Sequence, residues 1–144
     1  MIVVSDAGAL IDLADAECLD ILHRIFEEVI IPIEVFAEVF QRRQRVKPKW
    51  IKICSADKPE NLECFTKMRL AVDDGEAAAI AVARELDLPV IMEDKAGMLQ
   101  CERYRVEYFS LYRVLNEKLP PKECSRVIDA VRQRTGKLLC EPEF

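Results

Sequence analysis

Apolar residues along the chain keep two rhythms in alternation. Short runs rich in β-branched residues read as buried strands: Ile2 to Ser5, Val29-Ile30-Ile31, a brief run at Trp50, Ile51 and Ile53, Val90-Ile91-Met92, and Val106 to Phe109. Between them, apolar residues recur at helical spacing. Ala7 to Ala14 begins one helix, and Leu19, Leu22, His23 and Phe26 mark a second over residues 17–27. Pro32 suits the first turn of a helix whose stripe is Ile33, Phe36, Ala37 and Phe40. Residues 60–69 can form another. Asp73-Asp74-Gly75 signals a helix start, and the alanine-rich stretch over residues 76–86 is the strongest helix of the chain, ended by Asp87-Leu88-Pro89. A short helix from Lys95 and a C-terminal one over residues 120–134 complete the series. Strands alternating with helices at this spacing predict βαβ units: one α/β domain over residues 1–144, with a mostly parallel sheet and helices on both faces. Residues 41–49 are polar and basic and read as an exposed loop.

Composition narrows the class. A chain of 144 residues can bury a core without staples. No run approaches the ~18 apolar residues needed to cross a bilayer, and Met1-Ile2-Val3-Val4-Ser5-Asp6 lacks the basic region of a secretory signal. The expectation is a cytoplasmic protein with no membrane contact. Six cysteines are scattered without a C-x-x-C pair and there is a single histidine, His23, which argues against zinc and for reduced, buried thiols. The net charge of −5 argues against a surface that binds nucleic acid everywhere. An acidic pocket would itself supply several of those charges, and bound metal would offset them.

In open α/β sheets, sites form beyond the carboxyl ends of the strands. Asp6 follows the first strand, and Asp94 follows the strand Val90-Ile91-Met92 with Glu93 between. Both reach one crevice if those two strands are neighbours. Glu38 stands one turn after Glu34, and Glu76 begins the alanine-rich helix. Taken singly, each has a plain structural account. Aspartate is a good helix N-cap at Asp6 and a good turn residue at Asp94. A helix N-terminus favours an acid at Glu76. Glu34 and Glu38 can share a solvated face at a cost of about a few tenths of a kcal/mol. Taken together, they could converge into an oxygen-rich pocket, in which like charges would raise one another's pKa. Mg²⁺ or Mn²⁺ is the natural counter-charge, and such an ion can activate water and stabilise charge on a phosphate.

The order and context of these residues resemble the PIN domain. Val3-Val4-Ser5-Asp6-Ala7-Gly8-Ala9-Leu10-Ile11 is similar to the family's opening motif, a hydrophobic strand ending in an aspartate. Ile31-Pro32-Ile33-Glu34-Val35-Phe36-Ala37-Glu38-Val39 resembles the second, with Glu38 as the matching acid. Gly75-Glu76-Ala77-Ala78-Ala79-Ile80-Ala81-Val82-Ala83 resembles the third, with Glu76 where many members carry aspartate. Val90-Ile91-Met92-Glu93-Asp94-Lys95-Ala96-Gly97 resembles the fourth, carrying Asp94. The Gly-Glu-Ala and Asp-Lys-x-Gly patterns look closest to a largely uncharacterised archaeal and bacterial subfamily. The resemblance implies a three-layer α/β/α domain with a mostly parallel sheet. It also implies Mg²⁺ or Mn²⁺ held by Asp6, Glu38, Glu76 and Asp94 as catalytic and metal-binding residues, and an endoribonuclease acting on RNA. Many members are toxins neutralised by a small antitoxin protein, and many are homodimers. The chain departs from the family where hydroxyl residues commonly follow the first aspartate, with Ala7 and Gly8 instead. It departs again where Ser or Thr commonly stands two residues before the fourth-motif aspartate, at Met92. Those hydroxyls help position metal, water or substrate in relatives. Their loss keeps open a second expectation, a catalytically degenerate PIN-like module that binds RNA or protein.

Other residues carry weaker signals. Arg42, Arg43, Arg45, Lys47, Lys49 and Lys52 form the densest basic segment and could track an RNA backbone, with the arginines as substrate contacts, or simply solvate a loop. Arg132, Arg134 and Lys137 read as ordinary surface charge. Trp50 reads as a core or interface anchor, and His23 as a packed or dimer-facing residue. Other phosphate enzymes fit poorly: a haloacid-dehalogenase-like phosphatase would need Asp-x-Asp after the first strand, where Asp6-Ala7-Gly8 stands. A response-regulator receiver would need an acidic pair there and a lysine after a late strand.

Overall fold

The computed structural model describes residues 1–143. Strand β1 (Ile2–Ser5) leads into α1 (Ala7–Asp15) and α2 (Asp20–Ile25), and β2 (Glu28–Ile31) into α3 (Ile33–Phe36). The last of these widens into a π-helical turn over Ala37–Gln41. Strand β3 (Ile51–Ile53) leads into α4 (Pro59–Met68) and α5 (Asp74–Leu86), β4 (Val90–Ile91) into α6 (Lys95–Arg103), and β5 (Tyr108–Phe109) into α7 (Leu111–Lys118) and α8 (Pro121–Thr135). The strands form one sheet in the order β3-β2-β1-β4-β5, and every pairing is parallel. The sheet is therefore wholly parallel, each crossover being long enough to carry helix, as parallel strands require.

Alternation along the strands builds the two outer layers, because successive side chains leave a strand on opposite faces. Val3, Val29, Ile31, Ile51 and Ile91 join Leu10, Leu13 and Leu22 of α1 and α2 and Leu111, Leu115, Val127 and Val131 of α7 and α8. Val4, Val90 and Met92 join Met68, Ala77, Ile80, Met98 and Cys101 of α4, α5 and α6, with Ile30 packed against them. Such β-branched runs are apolar on both faces because both are covered.

Three elements differ from the sequence reading. The helix expected over residues 17–27 contracts to Asp20–Ile25, since Glu17 takes a left-handed φ of 58° and Phe26 is extended. The apolar stripe after Pro32 is rotated: Val35, Val39 and Phe40 are buried, whereas Ile33 is 51% exposed. Arg42 N–H donates to the Ala37 carbonyl at 2.9 Å, five residues back, which widens the turn carrying Glu38. Helix α7 was missed, although Leu111, Val114 and Leu115 stand at helical spacing and the Ser110 hydroxyl accepts from Arg113 N–H at 3.1 Å as its N-cap.

Trp50 is half-buried against the first core, and His23 stacks on it with ring centroids 5.1 Å apart. All six cysteines are free thiols. Among the described residues no helix is long and apolar enough to cross a membrane.

Candidate functional site

Strands β1 and β4 are neighbours, with Ser5 opposite Ile91. From β1 the chain crosses to β2 over one face, and from β4 to β5 over the other. The crevice beyond their carboxyl ends is the sheet's topological switch point, where α/β folds open. In parallel βαβ units each strand's carboxyl end meets a helix N-terminus, and the helices after β1 and β4 are each capped by an aspartate.

Asp6 is the N-cap of α1 and is 2% exposed. Its Oδ1 accepts from Ala9 N–H at 3.1 Å, and its Oδ2 accepts from Glu93 N–H at 2.8 Å, fastening the end of β1 to the end of β4. Asp94 is the N-cap of α6, accepting from Gly97 N–H at 3.1 Å. Asp73 is the N-cap of α5, accepting from Glu76 N–H at 2.8 Å. Glu93 Oε1 accepts from Leu111 N–H at the start of α7. Four helix N-termini thus face one region, and their positive dipole ends favour the acids gathered there.

The result is a cleft of about 260 Å³ walled by the carboxylates of Asp6, Glu38, Asp73, Glu76, Glu93 and Asp94, with Ala7 and Gly8 beneath and Lys137 at one side. All four acids singled out in the sequence line it. The capping accounts of Asp6 and Asp94 also hold, so cap and cleft are one set of residues. Gly97 allows α6 to approach Met92 closely: a Cβ there would overlap the Sδ of that fully buried side chain, which would have to shift.

Electrostatics mark the cleft as short of positive charge. Burial pushes the Asp6 carboxyl up from 3.8 to about 7 against the opposing pull of the Glu93 and Ala9 amides. Burial, with the negative charges of Asp73, Asp94 and Asp6, pushes Glu76 from 4.5 to about 8. Lys137 is the one cation lining the cleft among the described residues, and its Nζ lies 2.9 Å from Asp12 Oδ2 and 3.6 Å from Glu93 Oε2. Burial opposes its charge, but Asp12, Glu93 and Asp6 outweigh that and hold its pKa above the usual lysine value.

The donor set suits a hard divalent cation, since it is all carboxylate oxygen around a cleft in which Asp6 and Glu76 resist ionising alone. Hydrogen bonds to the backbone leave Asp6 and Asp94 with free acceptor sites. No three His, Cys, Asp or Glu side chains among the described residues already stand in metal-holding geometry. The acids converge on one cleft without standing in that geometry.

The basic segment lies elsewhere. Arg43 Nη1 and Arg45 Nη2 are 3.4 and 2.5 Å from Asp15 Oδ1, at the far end of α1 from Asp6. A helix of nine residues is roughly 13 Å long at 1.5 Å per residue, so these arginines do not line the cleft. Arg42 is exposed and does not line it either. Sequence reading missed Asp73, Glu93, Asp12 and Lys137 as parts of the site. Asp73 carried a findable signal, because an acid three residues before Glu76 matches a capping box. Lys137 carried none, as it lies far along the chain from every motif.

A family model described as a PIN domain matches residues 2–136. PIN domains are in general metal-dependent nucleases acting on nucleic acid. No curated protein matches the chain.

Proposed function

The chain belongs to the PIN-domain family, and from that premise we propose that it is an endoribonuclease that hydrolyses RNA phosphodiester bonds with Mg²⁺ or Mn²⁺. The observation that carries this reading is the convergence of Asp6, Glu38, Glu76 and Asp94 on one cleft at the switch point of a parallel sheet. Those four carboxylates would hold the ion, partly through water. When bound, it would supply an activated water and a counter-charge for the scissile phosphate. The chain's own residues do the rest. Asp6 is fixed by two backbone amides and cannot swing away. Glu76, whose carboxyl is raised to about 8 without metal, would give up its proton as the ion binds. The phosphate would lie against the N-termini of α1, α5 and α6, whose amides favour anions. Arg42 is proposed as an outer contact to the RNA backbone, with Arg43 and Arg45 contributing only if they leave Asp15.

The finer assignment is a cytoplasmic toxin, acting as a homodimer and neutralised by a small antitoxin protein. It rests on the motif resemblance, and co-purification with the product of an adjacent small reading frame tests it. A second reading, a PIN-like module that binds RNA or protein without cutting, is favoured by Ala7, Gly8 and Met92 in place of hydroxyls and by the unclosed ligand geometry. One assay separates the two. A pool of structured and single-stranded RNA is incubated with Mn²⁺, Mg²⁺ or EDTA, using wild type and Asp6→Asn. Metal-dependent cuts lost in the variant support the nuclease. RNA retained but uncut by well-folded wild type supports the binding module.

A further inference from the structure

The lysine at the cleft is exposed along its side chain but paired at its ammonium. Gly136 ends α8 in the left-handed region at φ 75°, turning the chain back, and Leu139 is buried at 4% exposure in the first core. Lys137 is pinned between these two points. Its Nζ donates to Asp12 Oδ2 at 2.9 Å and lies 3.6 Å from Glu93 Oε2, while Glu93 Oε1 already accepts from Leu111 N–H. Asp12 is itself only 8% exposed. Both Glu93 oxygens are therefore engaged. The cleft divides into a Glu93 side that carries its own cation and a side formed by Glu38, Asp73, Glu76 and Asp94 that has none among the lining residues.

We propose that Lys137 is a built-in cation that fills the Glu93 side of the cleft, so that this chain takes one divalent ion rather than two. The inference rests on the metal-site reading above. Two catalytic ions sit about 3.5–4 Å apart where both are present, and a cleft of about 260 Å³ has room for such a pair. A second ion on the Glu93 side would have to push the ammonium away from Glu93 and loosen its hydrogen bond to Asp12, whose side chain is 12% exposed against 44% for the lysine, and an enclosed carboxylate left short of its partner is unfavourable. The C-terminal residues after α8 thereby set the cation count of a site built by β1, β4, α3 and α5.

The test is to count Mn²⁺ on the full chain at pH 8 by the loss of the free-ion EPR signal, with a thermal melt for each variant. Wild type and Lys137→Arg should bind one ion each, and Lys137→Ala should bind two. Glu93→Gln, which keeps an acceptor for Leu111, should change the affinity of the single ion by less than about 10-fold, the lower bound for losing even an outer-shell partner. Two ions on wild type, one on a folded Lys137→Ala, or loss of the ion in Glu93→Gln would each overturn the assignment of Lys137. A wild type that binds no Mn²⁺ would instead overturn the metal-site reading itself.

Discussion

Glu76 and Glu85 sit at opposite ends of α5, and their carboxyls are driven in opposite directions. Glu85 accepts from Lys58 N–H at 2.7 Å, from Asp57 N–H at 2.8 Å and from the Asn61 side-chain amide at 3.2 Å, which ties down the segment leading into α4. Those donors, led by the Lys58 amide, hold its pKa below the usual glutamate value. Glu76 is desolvated among Asp73, Asp94 and Asp6, and is raised to about 8. The same residue on the same helix is a finished structural part at one end and an unmet demand for positive charge at the other. Unmet charge at a cleft is the physical signature of a binding site, and residue type alone does not reveal it.

The largest expected contrast is catalytic. Asp6→Asn should lower metal-dependent RNA cleavage by more than about a hundredfold, beyond the 10–100-fold typical of outer-shell partners. Glu85→Gln should leave cleavage per folded molecule unchanged. Equal losses in a gel-based cleavage assay would erase the distinction between the two ends of α5.

Next comes pH. In EDTA, Asp6 and Glu76 have folded values of about 7 and about 8 against ordinary values of 3.8 and 4.5. An acid whose folded pKa is raised binds more protons in the native state, so its contribution is full below the ordinary value and is lost as pH rises through the folded one. Metal-free protein should therefore lose stability between pH 5 and pH 8, by on the order of a few kcal/mol for the buried Asp6. Mn²⁺ should raise the melting midpoint more at pH 8 than at pH 6, because it binds the ionised form. Asp6→Asn should flatten the EDTA profile. Glu85, with its lowered value, carries the opposite sign: its contribution is present above the ordinary glutamate value and fades only as pH falls below it. A metal-free melting midpoint that rises from pH 5 to 8 would contradict the charge balance drawn for the cleft.

A smaller effect is expected at Gly97. Gly97→Ala pushes a methyl group into Met92 and should cost about 1–3 kcal/mol, as overpacking commonly does. Because Gly97 N–H donates to Asp94, Mn²⁺ affinity should fall with stability. Denaturant unfolding and Mn²⁺ titration of one sample measure both, and a stability loss with unchanged affinity would separate Asp94 from the ion. Glu85→Ala should lower the melting midpoint by a few degrees by freeing the segment that leads into α4, with no change in Mn²⁺ affinity.

The smallest effect concerns the arginines. Arg42→Ala should reduce the salt dependence of RNA binding by about one counterion. Arg45→Ala should change it little, since that guanidinium is committed to Asp15. An equal reduction in both, read from binding isotherms at several salt concentrations, would return the whole segment to the RNA path.

What the sequence determined was whatever acts over a few residues. The β-branched runs became β1, β2 and β4, the alanine-rich stretch became α5, and aspartates beside them became caps. Parallel topology places the caps Asp6 and Asp94 at the strands' carboxyl edge, and the motif resemblance added Glu38 and Glu76 to them. Tertiary structure decided the rest. It set β1 beside β4, turned Val35 rather than Ile33 inward, and tied Arg43 and Arg45 to Asp15. It also brought Lys137 to Asp12 across 125 residues of chain. Caps and periodicities are short-range, set by hydrogen bonds and side-chain spacing within a turn or two. The charge balance of a cleft is a sum over elements distant in sequence, and only the folded chain performs that sum.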